Sequence, residues 1–138
     1  MSKRRILYVD DMPVCEKKRR KTLNGAYYYL DWRRTEKEGR AALEDLSQYD
    51  AVIFDVNLNY DSSKPDEEQT TEGLGLIKLA RRKSRRDEGE LLIFCISTGN
   101  YGGEAMKAGA DVFMWKWEFF SGKGKENLDG LLRSEYEG

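Results

Sequence analysis

Four short apolar runs in this 138-residue chain each end in a residue able to do chemistry. Ile6-Leu7-Tyr8-Val9 stops at Asp10-Asp11, and Ala51-Val52-Ile53-Phe54 stops at Asp55. The run from Leu91 to Ile96 stops at Ser97-Thr98, and that from Val112 to Trp115 stops at Lys116. If the runs are parallel strands, their carboxyl ends share one edge of the sheet, where α/β proteins collect ligands. Three carboxylates, a hydroxyl and an ammonium would then converge. Carboxylates crowded together repel unless a cation lies among them. Mg²⁺ suits such a set, because it takes one or two carboxylates and keeps waters or phosphate oxygens elsewhere. A carboxylate in that set could attack phosphorus and become an aspartyl phosphate. A metal ion, an ammonium and a hydroxyl would face the charge on the transferring group. Asp10, Asp11, Asp55, Thr98 and Lys116 complete the requirement.

The elements that must position these residues alternate strand and helix. Arg5–Val9 reads as a strand. A helix follows to about Leu23, with Asp11 or Met12 at its cap, Pro13 in its first turn and Asn24-Gly25 as its stop. Its middle, Glu16 to Lys21, is six charged residues in a row. Ala26–Trp32 reads as a strand. Thr35 and Glu38 have capping-box spacing, and Ala41, Ala42, Leu43 and Leu46 supply an inner helix face. Ala51–Asp55 is short and wholly apolar before its acid, as in the buried centre of a parallel sheet. The segment from Asn59 to Thr71 is different: 13 residues with four acids and one lysine, longer than most βα connections. A helix from about Glu72 to Ser84 turns Leu76, Ile77, Leu79 and Ala80 inward and Arg81, Arg82, Arg85 and Arg86 outward. Leu91–Ser97 is a strand, Glu104–Ala108 a short helix capped by Gly109, and Asp111–Trp115 a fifth strand. Lys125 to Tyr136 makes a last helix with Leu128, Leu131 and Leu132. The expected fold class is α/β, a doubly wound five-stranded parallel sheet with helices on both faces.

Length and composition narrow the function classes. The chain has the size of one domain, residues 1–138, with 39% hydrophobic and 36% charged residues. Its net charge of −1 provides no global field for nucleic acid. No apolar stretch approaches the length of a membrane span, and no secretory signal follows Met1. Histidine is absent, which excludes His-based catalysis and leaves any phosphohistidine to a partner. Cys15 and Cys95 stand apart without a CxxC, as expected in a reducing cytoplasm.

Four fragments, taken together and in order, carry a family resemblance. They are Ile6-Leu7-Tyr8-Val9-Asp10-Asp11-Met12-Pro13, Val52-Ile53-Phe54-Asp55-Val56-Asn57-Leu58, Ser97-Thr98-Gly99 and Ala108-Gly109-Ala110-Asp111-Val112-Phe113-Met114-Trp115-Lys116. Over nearly its whole length the chain resembles a response-regulator receiver domain of two-component phosphorelays, with a flavodoxin-like, chemotaxis-type fold. The resemblance implies that Asp55 is the phosphoacceptor and that Asp11 binds Mg²⁺ directly with Asp55. Asp10 would act through a water, and the backbone carbonyl of Asn57 would complete the ligands. Thr98 would swing toward the phosphoryl group, Lys116 would pair with it, and Phe113 would be the aromatic that reports the switch. The implied partners are a histidine kinase or histidine phosphotransfer protein and a downstream effector protein or domain. Beyond its own phosphorylation and dephosphorylation such a domain is not an enzyme.

The pattern also departs from the family. Trp117 stands after Lys116 where proline is usual, so a trans bond and a rebuilt loop are expected. Ser97 and Thr98 compete for the hydroxyl role; Thr98, with Gly99 as its small neighbour, is favoured. The fourth predicted helix is short, and the Asn59–Thr71 loop is extended, gating access or contacting a partner. Lys17, Lys18, Arg19 and Arg20 read either as a solvated face or as a docking surface for the phosphodonor. The alternative function is a pseudo-receiver, a phosphorylation-independent protein-interaction module. A dehalogenase-like phosphohydrolase would need a second acid at position 57, which is Asn. A flavin-nucleotide binder would need a phosphate loop where Asp10-Asp11 stands. Glu137-Gly138 leave open whether the chain is a fragment of a longer protein.

Overall fold

A computed structural model describes residues 4–12, 28–59, 61–86 and 91–137. The first predicted helix, with Cys15 and the charged run, lies outside them. The elements in order are β1 (Arg4–Val9), β2 (Tyr28–Arg33), α1 (Glu36–Ala42) with a 3₁₀ turn over Leu43–Gln48, and β3 (Ala51–Asp55). Then come a 3₁₀ turn at Asp66–Glu68, α2 (Glu72–Arg86), β4 (Leu92–Ser97), α3 (Gly102–Ala108) and β5 (Val112–Trp115). One helical turn at Lys116–Glu118 and a π-type turn at Phe119–Lys123 lead into α4 (Gly124–Glu137).

The five strands form one sheet in the order β2-β1-β3-β4-β5, every pair parallel. The order reverses between β1 and β3, which puts a topological switch point beside Asp10 and Asp55. Side chains alternate across the sheet. Leu7, Val9, Val52, Phe54, Ile93 and Cys95 pack in one core, which α1, α2 and α3 cover through Ala42, Leu76, Ile77, Ala80, Ala105 and Ala108. Ile6, Tyr8, Ile53, Phe94 and Ile96 face the opposite core, which holds Phe119 and Leu128 and Leu132 of α4. β3 is buried throughout, which accounts for its lack of polar alternation. Among the described residues no helix is long and apolar enough to cross a membrane.

Local chemistry sets the element ends. Thr35 Oγ1 accepts from the Glu38 amide at 3.1 Å, the expected cap of α1. Three expected faces are corrected. Ala41 is exposed, because α1 turns Gly39 and Ala42 inward and tightens to 3₁₀ geometry at Leu43. Leu131 is 38% exposed; the buried stripe of α4 is narrow, carried by Leu128 and Leu132 one turn apart. Arg81 is no solvated arginine: it donates to the Gly109 carbonyl at 2.9 Å and to Asp111 at 2.7 Å, clamping the turn after α3. Gly109 caps α3 at φ 118°, a left-handed conformation that favours glycine. The described residues hold no cis peptide bond. Trp117 is 69% exposed at the helical turn that follows β5.

Candidate functional site

Sheet register brings the polar ends of β1, β3 and β5 together. Asp10 is fully buried, Asp55 is 3% exposed and Lys116 is 7% exposed. Lys116 Nζ lies 3.3 Å from Asp10 and 3.2 Å from Asp55, so one ammonium serves two carboxylates. Met12 Sδ approaches the same ammonium at 3.6 Å. Asp10 is further fixed by the Tyr8 hydroxyl, which donates to Oδ2 at 3.0 Å, and by the Met12 amide, which donates to Oδ1 at 3.0 Å. The Trp32 indole donates to the Asp10 carbonyl at 3.0 Å, tying the end of β1 to β2.

Asp10, Asp11 and Asp55 each offer a carboxylate oxygen within 4.8 Å of the others. This group could hold a metal ion, and an all-oxygen set suits a hard cation such as Mg²⁺. Burial pushes the Asp55 carboxyl up to about 7. Lys116 pulls it back, while Asp10 and Asp11 push it further up. One ammonium thus leaves the like-charge crowding only partly relieved, the condition a second cation would remedy. The donor chemistry fits the ion that the sequence implied.

The remaining residues approach from β4 and the loops. Asp55 pairs in register with Ile96, and Ser97 follows it as the last residue of β4. Ser97 is fully buried; its hydroxyl donates to Asn57 Oδ1 at 3.5 Å and accepts from the Gly99 amide at 3.0 Å. Thr98, the hydroxyl favoured from sequence, lies exposed in the bend beyond β4. Asn57 is buried two residues past Asp55, at the position expected for a carbonyl ligand. Phe113 is partly buried against the core under α2 and α3 and stacks edge-on with Trp115, centroids 5.9 Å apart. A Cβ on Gly102 would meet the Phe113 ring at 3.4 Å.

Several contributors were missed from sequence. Tyr8 was readable, since it lies two residues before Asp10 and therefore on the same strand face. Gly73 was not: a Cβ there would fall 1.9 Å from the Asp55 carbonyl oxygen, so α2 can begin against the end of β3 only with glycine. Its amide donates to the Val56 carbonyl at 3.0 Å. Gln69 and Tyr101 are visible only once the loops are placed.

Neither a protein-family model nor a curated protein sequence matches this chain. Solved structures do match. One is the CheY-like response regulator receiver domain protein from Methanospirillum hungatei JF-1. Its TM-score is 0.73 at 23% identity, covering 99% of this chain and 100% of that one. A LuxR-family two-component response regulator from Aurantimonas sp. SI85-9A1 has a TM-score of 0.72 at 17% identity, with 96% and 87% covered. The chemotaxis response regulator CheY4 of Vibrio cholerae has a TM-score of 0.63 at 21% identity, with 83% and 88% covered. The fold is the CheY-like receiver fold, as the sequence resemblance implied.

Proposed function

We propose that this chain, as a single receiver unit, is a phosphoacceptor signalling switch that takes a phosphoryl group on Asp55 from a partner's phosphohistidine. The observation that carries this reading is the buried Asp10–Asp55–Lys116 group with Asp11 beside it, at the switch point of a receiver fold. A carboxylate oxygen of Asp55 attacks phosphorus; the P–N bond to the donor imidazole breaks, and its electron pair leaves with that nitrogen. Lys116 holds Asp55 now and would pair with a phosphoryl oxygen afterwards. Mg²⁺, held by Asp10, Asp11, Asp55 and the Asn57 backbone carbonyl, would neutralise charge spread over the phosphoryl oxygens. Ser97, buried and hydrogen-bonded to Asn57, is assigned the responding hydroxyl ahead of Thr98, and Phe113 the aromatic that follows it. The donor would be a histidine kinase or histidine phosphotransfer protein in the cytoplasm, and the recipient of the signal an effector protein or domain.

Intact mass after incubation with acetyl phosphate, with and without Mg²⁺, tests the reading in wild type and Asp55→Asn. One Mg²⁺-dependent phosphoryl group, absent from the variant, is the expected result. The second reading, a phosphorylation-independent interaction module, draws on the near-complete burial of Asp55. No mass gain together with no Mg²⁺ binding would favour it.

A further inference from the structure

One buried side chain outside the reacting set touches three separate segments around the site. The Asn57 carboxamide donates from Nδ2 to the Thr70 carbonyl at 2.8 Å and to the Tyr101 hydroxyl at 3.4 Å. Its Oδ1 accepts from the Ser97 hydroxyl at 3.5 Å. Thr70 closes the long acidic segment after β3, Ser97 ends β4, and Tyr101 precedes α3.

The acidic segment is a folded unit with its own latch. Gln69, 8% exposed, donates to the Asp61 carbonyl at 2.6 Å and the Lys64 carbonyl at 2.9 Å, and accepts from the Asp61 amide at 3.0 Å. The Lys64 amide donates to the Asp61 carbonyl at 3.1 Å and the Glu68 amide to the Pro65 carbonyl at 3.0 Å. Thr70, next in sequence to the Gln69 latch, is where the segment is fastened to the buried Asn57, so losing that bond frees the residue that holds the latch in place.

We propose that the Asn57 carboxamide is a positioning residue that couples the 61–70 segment to the Ser97 hydroxyl, so that phosphorylation of Asp55 loosens the segment. This rests on the phosphoswitch reading above. A serine hydroxyl has one proton. Donated to a phosphoryl oxygen, it is withdrawn from Asn57 Oδ1, and a buried acceptor that loses its donor is driven to find another. The carboxamide is planar, so turning Oδ1 toward a new donor turns Nδ2 away from Thr70. The contact given up is the longest of the three, and the contact broken as a result is the shortest.

Hydrogen exchange on the full chain tests this, with the Asp61, Lys64 and Glu68 amides as reporters. Wild type and Asn57→Ser are compared with and without Mg²⁺ plus beryllofluoride, a phosphoryl mimic. In wild type the mimic should speed reporter exchange by roughly three- to tenfold, the ratio that one hydrogen bond supports. Asn57→Ser should begin at the faster rate and show no further response, while amides of β3 and β4 stay protected in both proteins. The wild-type comparison stands even if the variant fails to fold. A response at residues 96–101 without one at the reporters would overturn the coupling and leave the phosphoswitch intact. A persisting reporter response in Asn57→Ser would remove Asn57 from the path. No response anywhere to the mimic would overturn both readings.

Discussion

The two halves of the site are built by different means. Asp10, Asp55 and Lys116 sit at the ends of paired strands, nearly excluded from solvent and joined by contacts of 3.2 to 3.3 Å. Asn57, Ser97 and Tyr101 meet across loop and strand ends through contacts of 3.4 to 3.5 Å, with one bond of 2.8 Å to Thr70. Sheet register holds the first half as rigidly as the core below it. The second half rests on longer polar contacts that can exchange partners without disturbing the sheet. Reacting groups need fixed geometry, whereas a responding element needs two arrangements of similar energy.

Removing the shared ammonium strains the rigid half most. Lys116→Met leaves two buried carboxylates without their common counter-charge and should cost about 3–5 kcal/mol of stability at pH 7, measured by urea unfolding in EDTA. Part of that loss should return in the double variant with Asp55→Asn. A loss below about 1 kcal/mol would mean the pair is better hydrated than its burial indicates. Gly73→Ala attacks the join between β3 and α2, where no Cβ fits, and should cost about 3 kcal/mol through backbone displacement at Asp55.

The burial of Asp55, added to by its neighbouring carboxylates, has its own pH signature. The Asp55 carboxyl holds its proton more tightly folded than unfolded, so its contribution to stability is fully present below about pH 4. It is lost as pH rises through about 7. Without metal, Asp55→Asn should therefore gain on wild type by about 2–4 kcal/mol between pH 4 and 7.5. Added Mg²⁺ should narrow the gap at the upper end by stabilising wild type more than the variant, which lacks one of the three carboxylates. A gap independent of pH would show that burial and neighbouring carboxylates do not govern this group.

The adjustable half should show the smallest and most selective effect. Ser97→Ala should slow phosphorylation by acetyl phosphate about tenfold, or ~1.4 kcal/mol in the barrier, with unfolding little changed. Thr98→Ala should stay within about twofold. The reverse ranking would return the hydroxyl role to Thr98.

Much of the rigid half was legible in the sequence, and the reason is periodicity. A wholly apolar run ending in one acid, repeated with different polar ends, says both that the strands are buried and that their ends coincide. Asp10, Asp55 and Lys116 follow directly from this. The Thr35 cap and the Gly109 stop were legible because their chemistry is local. Ser97 and Thr98 were not separable, because alternation ends where the strand ends and the sequence does not mark that residue. Arg81 looked like one of four outward arginines, and only the turn after α3 supplied its acceptors.

The sequence by itself determined the alternation of strand and helix, the burial of β3 and the set of chemical groups at the strand ends. These depend on composition and spacing within a few residues. Only the tertiary structure decided that Ser97 is buried while Thr98 is exposed, that Tyr8 and Trp32 fix Asp10, and that Asn57 reaches Thr70, Ser97 and Tyr101. Those pairings join residues from separate elements. They depend on register and on how closely backbones approach, as at Gly73, and no short stretch of sequence encodes either.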